Sequence, residues 1–258
     1  MKSSLPSFVV LSALLLFLAG CTLLIPPGER PARVSVTEWL PALREHSEHW
    51  SAYQTRVHIR AQTPEKKLNM SAVILAKLPD QFRLEAFRLG QTVGLLTMNH
   101  GQSSLLVPSE RVLYTAAKSE VLINHLFGIS LPLDAFGYAL SASLPPDQLG
   151  NLQIFRQGTS LIGLPKTSPD GWSYEWQFLS MPQAIESARV KEGNWDYEIR
   201  YDPPVGLAVQ DVPKKITFTS TQWQVDVTIQ EIMAVRDVRD SVFHTDVGAE
   251  ILRVNLGS

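Results

Sequence analysis

The chain has 258 residues, of which 45% are hydrophobic and 19% charged, and its formal net charge is −2. That balance excludes a basic nucleic-acid binder and a disordered chain, and it supplies enough apolar surface for one well-packed domain. A single cysteine, Cys21, leaves no disulfide to form and excludes thiolate metal sites and cysteine nucleophiles elsewhere in the chain.

At the N-terminus, Met1 and Lys2 precede an apolar run from Phe8 to Leu18, which leads into Leu18-Ala19-Gly20-Cys21. A cationic start, an apolar stretch and small residues at a cleavage point describe a secretory signal. The run is too short to span a bilayer, which takes about 20 residues. Leu18 to Cys21 resembles the lipobox of bacterial lipoproteins. That resemblance implies cleavage after residue 20, lipid on the Cys21 sulfur and an acyl group such as palmitate on the new amino end. Cys21 stands where the lipobox requires it, which favours this reading over an ordinary signal peptide with an incidental cysteine. Residues 21–35, with Pro26, Pro27, Gly28 and Pro31, read as a semi-extended tether rising about 3 Å per residue. Thr22 occupies the place where enterobacterial sorting uses aspartate for inner-membrane retention. An outer-membrane anchor facing the periplasm is the corresponding expectation.

Residues 36–258 read as one domain. Thr37 is an expected N-cap for a helix through Trp39, Leu40 and Leu43 that ends near Trp50. The period then changes to two. Tyr53, Thr55, Val57, Ile59 and Ala61 alternate with polar residues, and Leu68 to Ala76 alternate again. Phe82, Leu84 and Ala86, then Val93 to Met98, Ser103 to Val107 and Arg111 to Thr115, continue a meander between turn signals. Lys118 to Phe127 has helical spacing with Gly128 as its C-cap, and a second short helix follows from Leu131 to Leu140, stopped before Pro145-Pro146. Strands resume at Leu152 to Arg156, Ser173 to Leu179, Trp195 to Tyr201, Ile216 to Thr219 and Val225 to Ile232. The order predicts an α+β fold: an antiparallel sheet that curls towards a barrel, with a helix in front and helices inserted midway.

Catalytic patterns are missing. The chain has no G-x-S-x-G, S-x-x-K, H-E-x-x-H or Walker loop. His46-Ser47-Glu48-His49 has no third ligand and reads as a solvated helix end. His58, His100, His125 and His244 are scattered, and Asp196 and Glu198 read as the exposed face of a strand. The expectation is a protein that is not an enzyme and needs no cofactor or metal.

The element order is similar to the LolA/LolB-type lipoprotein carriers, and especially to LolB-like outer-membrane lipoproteins. The likeness is carried by the strand from Tyr53 to Ala61 and by Leu78-Pro79-Asp80-Gln81-Phe82-Arg83-Leu84-Glu85. Asn99-His100-Gly101, Phe127-Gly128-Ile129-Ser130-Leu131-Pro132-Leu133, Pro213-Lys214-Lys215-Ile216 and the strands around Val225 to Val235 extend it over most of residues 36 to 250. It implies a half-open antiparallel barrel wrapped around a helix, with a helical lid and a cavity for acyl chains of lipoproteins. Under that resemblance Met70, Ala72, Ile74, Phe82, Leu84, Val93 and Leu95 line the cavity, and Leu122, Leu126, Phe136 and Leu140 belong to the lid. The same alternation also suits a solid core. The family's protruding membrane-inserting loop corresponds to the short turn Arg88-Leu89-Gly90-Gln91, where Leu89 is either an insertion residue or an ordinary hairpin leucine. The expected partners are the membrane, reached through the N-terminal lipid, then acyl chains or lipoproteins and a periplasmic carrier. The protein is expected to act as a monomer. A structural or adaptor lipoprotein that binds an envelope protein through an open sheet edge is the alternative.

Overall fold

The computed structural model describes residues 32–157, 160–165, 173–180, 183–192 and 195–257. Two meanders account for most of the chain. The first runs through β2 (Ala52–Gln62), β3 (Lys67–Lys77), β4 (Gln81–Arg88), β5 (Gln91–Asn99), β6 (Gln102–Val107) and β7 (Val112–Ala116). The second runs through β8 (Leu152–Gln157), β9 (Ser160–Pro165), β10 (Ser173–Leu179), β11 (Ala184–Glu192), β12 (Trp195–Gly206), β13 (Lys215–Ser220) and β14 (Gln224–Ala234). Antiparallel pairing of β14 with β2 joins them into one sheet, in the order β8 to β14 and then β2 to β7. Short strands β1 (Ala32–Val34) and β15 (Leu252–Asn255) occupy the two outer edges. β15 runs parallel to β7, so the sheet is open. β1 also corrects the expected tether: its last residues form an edge strand.

This order places β7 and β8 far apart, and the chain between them must cross the sheet. It crosses as α2 (Ser119–Phe127), α3 (Leu133–Ser141) and the one-and-a-half-turn α4 (Pro146–Asn151), which begins at the proline pair read as a stop. Every residue of α3 except Asp134 is buried. The Phe136 ring lies 6.1 Å from Phe82 on β4 and 5.4 Å from Phe218 on β13. Those strands are four places apart, about 19 Å in a flat sheet at normal strand spacing. Only a sheet curled around α3 brings both to one ring. The fold is therefore a curled, unclosed antiparallel sheet around a buried helix.

Helix α1 (Leu40–His49) covers one end of the interior and buries Leu43 and His46. Thr37 is not its cap: Thr37 lies in a 3-10 turn (Val36–Glu38), accepts a hydrogen bond from Ser35 and leaves Trp39 at the helix start. His46 is not solvated either. Its ring is buried, with Nε2 2.9 Å from the Ser141 carbonyl and Nδ1 3.1 Å from the Ala208 carbonyl, so it ties α1 to the end of α3 and to the segment after β12. The indole N–H of Trp50 donates to the Val209 carbonyl on the same side.

After β14 the chain returns across the outer face of β3 to β6. Lys77 pairs with Asp240, Arg83 donates to the Val242 carbonyl and Asn99 bonds His244. Thr97, Ser104 and Thr245 share hydroxyl hydrogen bonds, and Phe243 is buried beneath this strap. A chain returning this way reaches β7 in the parallel sense, which explains the one parallel pair reported above.

Candidate functional site

The sheet has a lateral gap. β2 and β3 pair along their whole length, from Gln62 opposite Lys67 to Ala52 opposite Lys77. Pairing of β3 with β4 begins only at Ser71 opposite Phe87, so Lys67 to Met70 extend past the last β3–β4 pair. The β4–β5 hairpin turns back at Leu89 and Gly90, both at positive φ (51° and 79°). A glycine takes this conformation freely, whereas a leucine takes it at a cost, and the turn holds the Leu89 side chain 98% exposed.

Through this gap an outer cleft of about 560 Å³ opens, bounded by Leu68 and Met70 of β3, Ala86 of β4, Val93 and Gly94 of β5 and Phe127 at the end of α2. It shares Leu68, Met70, Ala86, Gly94, Leu105 and Phe127 with an inner chamber of about 100 Å³. The sheet lines that chamber with Ile59, Leu84, Leu96 and Val225, and the insert lines it with Ile123, Ile129, Leu131, Leu133 and Phe136. No side chain in the chamber wall carries a charge or a hydrogen-bonding group.

The residues expected to line a cavity separate into two sets. Met70 and Leu84 line the chamber, and Val93 lines the outer cleft. Ala72, Ile74 and Phe82 are fully buried in packed core next to α3 and border neither space. Leu95 is half-buried and Leu96 takes the chamber position instead. The cause is a register shift: Ala86 pairs with Gly94 and Phe87 with Thr92, leaving Val93 as the extra residue of a bulge. Beyond a bulge the side-chain alternation reverses. Gly94, a glycine inside a strand, is the sequence signal for it.

In the insert, Phe136 lines the chamber, while Leu122 and Leu140 are completely buried in the core. Ile123 and Phe127, one helical turn apart, provide the α2 contribution that Leu122 was expected to make. The Leu126 side chain and Cys21 lie outside the described residues. α3, expected as part of a lid, is the helix the sheet wraps, whereas α2 lies against β6 and β7 at the rim.

Polarity is confined to the margins of this region. Tyr53 donates its buried hydroxyl to the Gly137 carbonyl, and burial pushes its phenol well above the usual range, keeping it a donor. Asp134 opens α3, where loss of solvent raises its carboxyl above the usual carboxylate value; Glu120 adds to the rise and the Ala135 N–H opposes it. No group of three or more His, Cys, Asp or Glu suited to a metal ion occurs among the described residues. Likewise, none of the described helices is long and apolar enough to cross a membrane. The chamber offers solvation for an apolar chain, and no side chain lining the chamber itself is polar.

No protein-family model matches the chain, and no curated protein matches its sequence. Solved structures do resemble it. A DUF1329 family protein from Desulfovibrio piger aligns with 81% of this chain and 97% of its own, at 8% identity and a TM-score of 0.53. A domain from Vibrio parahaemolyticus named for outer-membrane lipoprotein sorting aligns with 81% of this chain and 97% of its own, at 7% identity and a TM-score of 0.52. A LolA superfamily protein from Nitrosomonas europaea aligns with 82% of this chain and 98% of its own, at 13% identity and a TM-score of 0.47. At these identities the likeness is one of fold.

Proposed function

We propose that the protein is a membrane-anchored, LolB-like lipoprotein that holds lipid or lipoprotein acyl chains in the cleft beneath α2, as a carrier or receptor in lipoprotein localisation. One observation carries the reading: an apolar chamber with no polar wall group opens sideways through a gap between two hairpins. Each methylene moved into such a space contributes about 0.8 kcal/mol, so a greasy hollow suffices for binding. The chamber is small for a whole acyl chain. The outer cleft continues it, and entry of a longer chain requires the wall formed by α2 and residues 128–132, which no strand pairing holds, to give way.

The neighbours' names fit this reading, one being a lipoprotein-sorting domain. Cys21 is the proposed lipidation site, residues 21–31 the proposed link to the membrane, and the outer membrane the proposed location. Leu89, presented at the tip of the hairpin beside the cleft mouth, is suited to enter the bilayer surface while cargo passes.

The mature chain with Cys21→Ser, which carries no lipid of its own, tests the cavity. It is expected to take up a fluorescent fatty acid and to release it to an acylated peptide. Gly94→Leu should abolish uptake, because a side chain there enters the region shared by cleft and chamber. Failure of the unmodified chain to bind any acyl probe contradicts the proposal. Radiolabelled palmitate incorporated into the wild type and absent from Cys21→Ser tests the anchor, and fractionation of the two membranes tests the location.

A further inference from the structure

We infer that the cleft prefers anionic amphiphiles, with Lys67 and Arg88 taking a phosphate or carboxylate headgroup at the gap while the chain runs inward beneath α2. The inference rests on the acyl-binding reading and names its ligand class.

Three observations support it. Lys67, Arg88 and His58 border the outer cleft, and no aspartate or glutamate does, although acids outnumber bases in the whole chain, 25 against 23. Second, the two permanent cations are uncommitted. Among the described residues Lys77, Arg189, Lys191 and Arg200 form ion pairs, and Lys67 and Arg88 form none. Glu85, the acid nearest in β4, accepts from Thr92 and by alternation faces away from Arg88, on the outer side of the sheet. Third, the placement suits an amphiphile. Arg88 shares strand parity with Leu84 and Ala86 and thus stands on the inner side at the end of the chamber wall. Lys67 begins the stretch of β3 that has no β4 partner, on the outer side with the neutral hydrogen-bonding Asn69 and Ser71, so Lys67 and Arg88 flank the gap from opposite faces of the sheet. An arginine beside apolar surface lays its methylenes on that surface and keeps its guanidinium wet, where it grips a phosphate or carboxylate with two N–H groups. Charged head and apolar tail are thus met in the order in which an amphiphile presents them.

The test compares laurate with monolaurin, which has the same chain and a neutral head, on the mature Cys21→Ser chain by titration calorimetry. Laurate is expected to bind about tenfold tighter, the value of one good charge-assisted contact. Lys67→Gln with Arg88→Gln should erase that preference, and Arg88→Lys with Lys67 intact should keep part of it. Equal affinity for the two ligands in the unmutated chain overturns the headgroup assignment and leaves the acyl-binding reading standing. Failure of both to bind overturns both. Two further results also overturn the inference. In one, inorganic phosphate alone competes fully with laurate, which makes the rim a free-anion site. In the other, the double variant loses adsorption to phosphatidylglycerol vesicles but keeps its preference for laurate, which assigns the two charges to the membrane surface.

Discussion

The hydroxyl of Tyr53, on β2, donates to the carbonyl oxygen of Gly137, in the middle of α3, with both groups buried. This bond fixes the helix that crosses the sheet to β2, the neighbour of the sheet's central strand β14. Close approach is possible because residue 137 has no side chain, and Leu78 and Phe82 pack into the space a Cβ would enter. Tyr53→Phe keeps the ring and removes the donor. It should lower stability by about 1–2 kcal/mol, measured as a fall in the urea midpoint with an unchanged slope.

Ile74 and Leu84 lie directly opposite each other on β3 and β4 and should respond differently to enlargement. Ile74 is fully buried in packed core, so Ile74→Phe should cost about 1–3 kcal/mol. Leu84 borders the chamber, so Leu84→Phe should cost less than about 1 kcal/mol while reducing acyl-probe uptake. Thermal unfolding of the two variants, with probe titration of Leu84→Phe, separates packed wall from hollow.

On β9, Gly163 is a packing glycine. An added Cβ would stand 2.6 Å from the edge of the buried Phe178 ring and 3.0 Å from a methyl group of Leu152. An aromatic ring held in the core cannot step aside as the tip of a flexible chain can. Gly163→Ala should therefore destabilise by about 1–3 kcal/mol in chemical denaturation.

Asp134 predicts a pH dependence. Its folded value is raised above the unfolded carboxylate value of about 3.9, so its ionised form is disfavoured in the folded state. The sign follows: its contribution is most favourable below the unfolded value and declines as pH rises through the interval up to the raised folded value, then stays constant. Asp134→Asn removes the group. The stability of wild type relative to this variant should fall as pH rises above about 4 and level off afterwards. Urea midpoints of both proteins over a pH series check this, and parallel profiles throughout would contradict it.

Much of the architecture was legible because burial on one face of a strand leaves a period-two record. β2 and β3 follow that record directly, and Gly128 in the left-handed conformation ends α2 as a capping glycine does. β9 and β11 carry no such record. Leu161, Ile162 and Leu164 surround Gly163 without clean alternation, and β11 mixes Glu186 and Arg189 with Ala184, Ala188 and Val190 in a strand bulged between Ile185 and Ser187. The site was legible only in part. Met70 and Leu84 obey simple alternation, whereas Leu96 replaces Leu95 because a bulge resets the phase. Nor does spacing on a helix say which apolar stripe faces a void. Leu122 and Ile123 are adjacent apolar residues of α2, and only the surrounding sheet decides that Leu122 fills core and Ile123 faces the chamber. Burial of His46 is hidden from the sequence for a related reason: its partners, the carbonyls of Ser141 and Ala208, are 95 and 162 residues away.

The central claim is that an acyl chain occupies the space beneath α2. A lauric acid analogue with a diazirine at its far end, bound to the mature Cys21→Ser chain and photolysed, tests this directly when the labelled peptides are sequenced. The account predicts label on the chamber wall, in the Leu84–Leu96 hairpin and in residues 123–136, and loss of that label in Gly94→Leu. Label confined to the outer face of the sheet, or spread evenly over the surface and unaffected by Gly94→Leu, would contradict it.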